Sequence, residues 1–352
     1  MSRRKKMNSE GILRTILRMS PVVGASLGLI VAALFLLLWQ VNPLEFFGAL
    51  FKGSVGSLNA VGTTLNRAAL YMICGVATGI AFECGAMNMG QEGQAFMGGL
   101  GTAMIALAFP NLPHAVGIPL ALLGGMLFGA VFVAIPVVLR LTKGINELLT
   151  TLILNYVAVL IVNAVIIGPL ASSTSFSYPH TDDFSASYSL TSWPGLGFLH
   201  SGIFIAIVVV VFAIYFFWKT PGGFRFRVAG LSPMAGRTAG ISPTVVFTIS
   251  MLINGACAGL AGGIEVLGRY TSLRGGFASH LGWDSMVVAM LASDDPKKII
   301  PSALFFGALY AGINSMQRTL GVPSALLQLI KGCIILFIMT AEAIQKYHIN
   351  KK

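Results

Sequence analysis

Residues 202–218 read GIFIAIVVVVFAIYFFW, with no charged side chain between Ser201 and Lys219. A transmembrane α-helix needs about 20 predominantly apolar residues and can manage with about 17. The rest of the chain repeats that character. Of 352 residues, 55% are hydrophobic and 10% charged, and the mean hydropathy is +0.82. A soluble domain carries about 25% charged residues. So few charges cannot cover a water-soluble protein of this size, which excludes a cytosolic enzyme. The apolar content excludes disorder. The hydrophobic share suffices for about eight to ten spans. The fold class is therefore all-α, a polytopic membrane protein.

Apolar runs predict ten spans, near 21–39, 62–82, 92–109, 117–139, 147–168, 202–218, 244–264, 281–293, 299–319 and 324–343. The first follows a basic stretch (Arg3, Arg4, Lys5, Lys6, Arg14, Arg18) but ends in Trp39-Gln40-Val41-Asn42-Pro43 with no small-residue cleavage site. It reads as a retained span rather than a signal peptide. The run 281–293 is too short to cross alone and reads as a broken or re-entrant segment, which survives where it is buried in protein or lines a cavity.

Ten crossings put both termini on one side. That side collects the N-terminal basic residues, Arg140, Lys143, Lys219, Arg225, Arg227, Arg237, Lys297, Lys298, Lys346, Lys351 and Lys352. The opposite side and the membrane share Lys52, Arg67, Arg269, Arg274, Arg318 and Lys331. Lys and Arg concentrate in cytoplasmic loops, so both termini are expected in the cytoplasm. The net charge of +11 then reflects topology, not nucleic-acid binding. The expected organisation is a basic cytoplasmic N-terminus (1–20), one transmembrane domain (21–343) and a cytoplasmic C-terminus (344–352). Residues 169–201 form an external loop, and 219–243 form a basic, Gly-rich internal one. Gly75-Val-Ala-Thr-Gly79-Ile-Ala81 echoes Gly255-Ala-Cys-Ala-Gly259-Leu-Ala261 on a span running the opposite way. That fits an inverted repeat with the solute site between the halves. It equally fits small-residue helix packing.

Polar groups in a membrane are costly and therefore candidates for function. One cluster is Glu83-Cys-Gly-Ala-Met-Asn88-Met-Gly90-Gln91-Glu92-Gly93-Gln94, where two spans meet with almost no connector. It reads either as a helix break lining a polar cavity or as a wet turn. A second is Asn146-Glu147 through Thr150-Thr151 to Asn155-Tyr156. Glu147, Thr151 and Asn155 recur every fourth residue and share one helix stripe, which should face the bundle interior. The stripe reads either as facing solute or as interhelical bonding alone, and Glu147 reads alternatively as complementing the helix dipole at the cytoplasmic start. Asp284 is expected to cap the short segment, and Ser293 to Lys298 to form a wet turn.

The chemistry of enzymes is missing. There is no Gly-Lys dipeptide, so no P-loop, and HExxH does not occur. Cys74, Cys84, Cys257 and Cys333 lie in apolar runs and read as small buried hydrophobes. No two of the five histidines lie four residues apart. No metal or cofactor is expected on this chain.

The internal loop carries Arg225, Arg227, Gly230, Ala235, Gly236, Arg237 and Gly240, with Ser232-Pro233 opening a short helix. Such a surface suits docking in a groove of another protein. Here the chain resembles, over essentially its whole length, the permeases of bacterial ABC importers for branched-chain amino acids, simple sugars and nucleosides. The resemblance rests on Asn88-Met-Gly-Gln-Glu-Gly-Gln94, on Gly144-Ile-Asn-Glu147 through Asn155-Tyr156, and on Arg227-Val-Ala-Gly230 through Arg237-Thr-Ala-Gly240-Ile. Gly282-Trp283-Asp284 through Leu291 adds to it. The missing Ile-Asp-Leu-Ser-Val-Gly element argues against ribose, and the nucleoside branch looks closest.

The resemblance implies a heterodimer of permeases, a separate ABC ATPase that carries ATP and magnesium, and an external substrate-binding lipoprotein. It implies Asn88, Gln91, Glu92, Asn146, Glu147 and Asn155 along the solute path, and Arg227, Gly230, Ala235, Arg237 and Gly240 in ATPase coupling. Gly230→Trp is then expected to leave an inserted but uncoupled protein. The alternatives are an importer of a sugar or other small polar solute, an ion-coupled transporter using Glu83, Glu92 or Glu147, and a non-transporting scaffold.

Overall fold

A computed structural model describes residues 20–38, 42–172, 178–292, 297–320 and 323–350. The N-terminal basic stretch, residues 39–41 and residues 293–296 of the expected wet turn lie outside the described residues. In chain order the helices are α1 (Ser20–Leu38), α2 (Pro43–Val55), α3 (Leu58–Glu83), α4 (Gln91–Ala108), α5 (His114–Lys143) and α6 (Glu147–Ile167). There follow α7 (Gly202–Lys219), α8 (Pro221–Leu231), α9 (Pro233–Thr238), α10 (Pro243–Arg269), α11 (Leu281–Leu291), α12 (Ile299–Leu320) and α13 (Ser324–Asn350). Among the described residues no strand forms, and the pairings His180–Arg274 and Ser192–His200 are isolated bridges.

Each expected span falls on a helix. Among the described residues, six helices are long and apolar enough to cross a membrane: α3, α5, α6, α7, α10 and α12. At 1.5 Å per residue, the 11 residues of α11 rise about 16 Å, roughly half of the ~30 Å hydrocarbon layer. That agrees with the broken segment expected there. Two features were not expected. Residues 43–55 form a helix, started by Pro43 and capped by Asn42, whose Oδ1 accepts the Leu44 N–H at 3.0 Å. The last helix runs to Asn350, beyond the expected end near 343.

The chain divides into two compact units, one comprising Met1–Ser57 with Leu309–Lys352 and the other Leu58–Ala308. In the first, α1 packs on α13, with Gly28 against the Ile334 backbone. Also in this unit, Gly53 on α2 packs on Gly312 and Ser315.

In the second unit the burial of the helices differs sharply. The apolar window of α3 is 89% buried, while those of α6 and α7 are 28% buried. Their outer faces (Leu149, Ile153 and Leu160; Val208, Val211 and Phe212) are exposed and suit lipid. The interior is held by backbone contact among α4, α5 and α10. A Cβ on Gly98 would strike the Gly259 backbone, and one on Gly129 would strike the Gly255 carbonyl. Small residues let membrane helices approach this closely where apolar burial gives no drive.

The glycine echo therefore has a packing role on α10. On α3, Gly75 faces Val288 of α11. A repeated arrangement is also visible. A long helix, a break and a second helix occur as α3–α4 and again as α10–α11. The second helices cross over, α4 packing on α10 and α11 on α3. Arg67 of α3 meets Glu265 of α10, while Gln91 links Cys74 of α3 to Asn254 of α10. Residue numbers rise on α3 as they fall on α10, so the two long helices run antiparallel.

Candidate functional site

Residues 84–90 leave the α3 helix and restart as α4 at Gln91. A helix start exposes N–H groups that need partners, and the N-cap, Gly90, has no side chain to supply one. The partners come from α6. Asn155 Oδ1 accepts the Gly93 N–H at 2.8 Å, and its Nδ2 donates to the Met89 carbonyl at 2.8 Å. Thr151 Oγ1 accepts the Met89 N–H at 3.2 Å. The stripe of Glu147, Thr151 and Asn155 is buried, and its two inner members clasp the break.

A chain of carboxamides fills the break. Asn88 and Gln94 pair reciprocally, at 2.8 and 3.0 Å. Asn88 Oδ1 also accepts the Gly90 N–H. Asn254 Oδ1, in the middle of α10, accepts from Asn88 Nδ2 at 2.9 Å and from Gln91 Nε2 at 2.8 Å. Gln91 Nε2 also donates to the Cys74 carbonyl at 2.9 Å. All four amides are buried. The break is thus a polar knot at the meeting of α3, α4, α6 and α10, and not a wet turn.

Beside it lies the start of α11. Gly282 sits against the backbone of Gln91 and Glu92 so closely that a Cβ would clash. The N-cap of α11, His280, offers no side-chain cap and has φ 62°. The Glu92 carboxylate, reaching across from α4, lies beside the backbone of His280 and Trp283 at this helix start. The expected cap, Asp284, is engaged elsewhere: its Oδ2 accepts the Tyr71 hydroxyl at 2.5 Å. Arg67 of α3 donates to the Ser279 carbonyl at 3.2 Å and stands 3.9 Å from Glu265. Arg269 donates to the same carboxylate at 3.2 Å. Glu265 and Arg67 are almost fully buried, and an isolated charge there would be prohibitive.

The remaining expected path residues sit apart. Asn146 is exposed and caps α6, its Oδ1 accepting the Leu148 N–H at 2.9 Å. Glu147 is buried and ion-paired with Arg140. The structure therefore gathers Asn88, Gln91, Glu92 and Asn155 and leaves Asn146 and Glu147 at the α5–α6 corner.

Sequence reading missed Asn254, Arg67, Tyr71 and Glu265. Asn254 could have been found as a lone carboxamide in an apolar span. Tyr71 gave no such signal.

At the other end of the antiparallel pair, the connection before α7 closes over the bundle. Tyr188 is buried and donates to the Phe109 carbonyl at 2.7 Å. His200 packs between Gly202 and Gly268, its Nδ1 accepting the Gly202 N–H at 3.1 Å. Burial lowers its pKa to about 4, opposed by the nearby Glu265 carboxylate.

The α8–α9 segment folds as two short helices. Thr220 caps α8 and Ser232 caps α9, the latter accepting the Ala235 N–H at 3.2 Å. Gly230 faces inward, and a Cβ there would strike the Glu83 carbonyl. Arg227 lies 4.8 Å over Trp218. Ala235 and Arg237 are exposed, and Gly240 turns the chain at φ 73°. The solvent side is more apolar than expected, with Leu231 82% and Met234 81% exposed. Gly230→Trp therefore perturbs the seat of α8 on α3, and its effect cannot be assigned to docking.

Comparison with known proteins agrees with this architecture. A family model described as branched-chain amino acid transport system / permease component matches residues 60–339. A nucleoside ABC transporter permease protein of Lactococcus lactis is 32% identical, covering 90% of this chain and 89% of its own. A guanosine ABC transporter permease protein of Bacillus subtilis is 30% identical, covering 92% and 94%. A glucose ABC transporter permease protein of Haloferax volcanii is 29% identical, covering 94% and 89%.

Proposed function

This chain belongs to the branched-chain amino acid transport system permease component family, and we propose that it forms the translocation path of an ATP-driven importer of nucleosides. It is a multi-pass membrane protein and an ABC importer permease. The observation that carries the nucleoside reading is its likeness, at 30% identity or more, to the two permeases named for nucleosides and guanosine. The buried carboxamides at the break support it, because neutral amides suit an uncharged polar solute. A second reading, a sugar importer, is favoured by the glucose permease of similar identity.

The partners follow from the family. A second permease chain completes the path, an ABC ATPase carries ATP and magnesium, and an external binding lipoprotein delivers solute. The chain sits in the bacterial cytoplasmic membrane with both termini inside, in keeping with its Lys and Arg distribution. Leu231, Met234, Ala235 and Arg237 form the docking surface for the ATPase, while Gly230 and Arg227 seat that surface on α3 and α7. Closure of the ATPase pair moves α8–α9. The contact of Gly230 with the end of α3 carries the motion to the break at 84–90.

The test is uptake of labelled guanosine and inosine in cells with and without this gene, with ribose, glucose, adenine and amino acids as competitors. Uptake lost with the gene and blocked only by nucleosides supports the reading. Uptake blocked by glucose moves the assignment to sugars.

A further inference from the structure

The carboxamides at the break are oriented by two backbone groups, and that orientation leaves two polar atoms over. The Cys74 carbonyl can only accept, so the atom of Gln91 facing it at 2.9 Å is the amide nitrogen. The same nitrogen lies 2.8 Å from Asn254, so the Asn254 atom there is its oxygen. The Gly90 N–H can only donate, so the Asn88 atom it meets at 2.8 Å is oxygen. Asn88 nitrogen is then left to donate to Gln94 and, again, to Asn254 Oδ1. Each step closes on the others: flipping Asn88 or Gln91 would break a bond to the backbone, and flipping Gln94 or Asn254 would set donor against donor. At the end of the chain Gln91 Oε1 and Asn254 Nδ2 have no hydrogen-bond partner. Gln91 is 2% exposed and Asn254 is fully buried. A buried polar group without a partner costs about as much as a lost hydrogen bond, so such a pair at the junction of two broken helices demands an account.

We propose that Gln91 and Asn254 read the hydrogen-bonding edge of the solute's base as it crosses this junction, Asn254 Nδ2 donating to a ring acceptor and Gln91 Oε1 accepting from the neighbouring N–H. The two atoms belong to amides joined by a hydrogen bond, so they lie on adjacent groups. One is a donor and the other an acceptor. That is the complement of a base edge that sets a C=O or ring nitrogen beside an N–H, as guanine, hypoxanthine and uracil all do. A hexose offers hydroxyls, which donate and accept alike and gain no selectivity from such a pair. Asn88 and Gln94 spend their atoms on each other and on Asn254 and Gly90, and Asn155 spends its own on Met89 and Gly93. These residues position the reading pair and do not touch the solute.

The inference rests on the nucleoside reading and deepens it, and one experiment separates the two. The complete importer is reconstituted with its binding protein, and uptake of inosine is compared with uptake of benzimidazole riboside, which keeps the ribose and the fused-ring shape but has no base edge. The binding protein's own Kd for each riboside is measured separately and divided out. Asn254→Leu removes the donor while leaving Asn88 and Gln91 nitrogens one acceptor each, in Gln94 and Cys74. The corrected inosine preference of the wild type should fall about five- to tenfold, the worth of one hydrogen bond. Asn254→Asp keeps the oxygen that Asn88 and Gln91 use and gives the same readout should the leucine variant fail to insert. Equal loss for both ribosides, or no wild-type preference after correction, overturns the reading pair and makes Asn254 a packing residue. No wild-type uptake of either riboside overturns the nucleoside assignment itself.

Discussion

Asn155→Leu isolates the clasp that holds the break between α3 and α4. Asparagine makes two bonds there, both 2.8 Å, to the Gly93 N–H and the Met89 carbonyl. Leucine keeps the four side-chain heavy atoms and the branch at Cγ, and removes both. The Gly93 N–H is a first-turn helix donor, so its loss resembles the loss of a helix cap, about 1 kcal/mol. The Met89 carbonyl is left without this donor, which costs about 1–3 kcal/mol if it stays buried. Membrane double-mutant cycles average about 0.6 kcal/mol per hydrogen bond, which sets the lower bound. The expected destabilisation is therefore roughly 1–4 kcal/mol. Two assays read it: the thermal unfolding midpoint of the purified importer in detergent, and its nucleoside uptake. Both should fall. Asn155→Asp keeps an acceptor for Gly93 and loses only the donor to Met89, so it should fall between wild type and leucine. A leucine variant with wild-type midpoint and uptake would refute the clasp.

Other outcomes follow from the same geometry. Gly259→Leu drives a side chain into the Gly125 backbone on α5 and should lower the amount of folded protein recovered from membranes severalfold, whereas Ala164→Leu, within α6, is a span-composition control for the same assay. Met234→Asp places a charge on the exposed apolar side of α9, the side proposed to dock the ATPase, so it should leave the unfolding midpoint unchanged and reduce ATPase co-purification and uptake. Gly230→Ala, by contrast, should lower the midpoint. His200 has a folded pKa of about 4 against an ordinary 6.5, so the unfolded state binds more protons between them. Its contribution to stability is full above about pH 6.5 and declines as pH falls toward about 4. His200→Gln should flatten the midpoint against pH over that window.

What the sequence made legible follows a physical divide. Helix existence rested on apolar runs, a property each segment carries by itself, and so the short segment 281–293 was recognisable before any contact was known. The stripe of Glu147, Thr151 and Asn155 was recognisable because helical periodicity puts every fourth residue on one face. What faced that stripe was not, since the Met89 and Gly93 backbone groups come from a segment more than fifty residues away. Asp284 shows the same limit. A carboxylate near a helix start reads as a cap, yet the contact that claims it is Tyr71, over two hundred residues earlier in the chain. The carboxylate that lies at that helix start is Glu92, from another helix. On α8–α9 the small residues suggested a smooth outer face. Gly230 instead packs inward, and the exposed side is carried by Leu231 and Met234, because a glycine's lack of a Cβ serves close approach to α3.

The central claim is that this permease moves nucleosides only when its ATPase works. It is tested most directly by reconstituting the importer in liposomes with its binding protein and following labelled guanosine. The account predicts accumulation above the outside concentration that requires ATP, ceases with a hydrolysis-deficient ATPase, and is unaffected by a protonophore. Accumulation driven by an ion gradient without ATP, or ATP-driven accumulation of glucose but not guanosine, would contradict it.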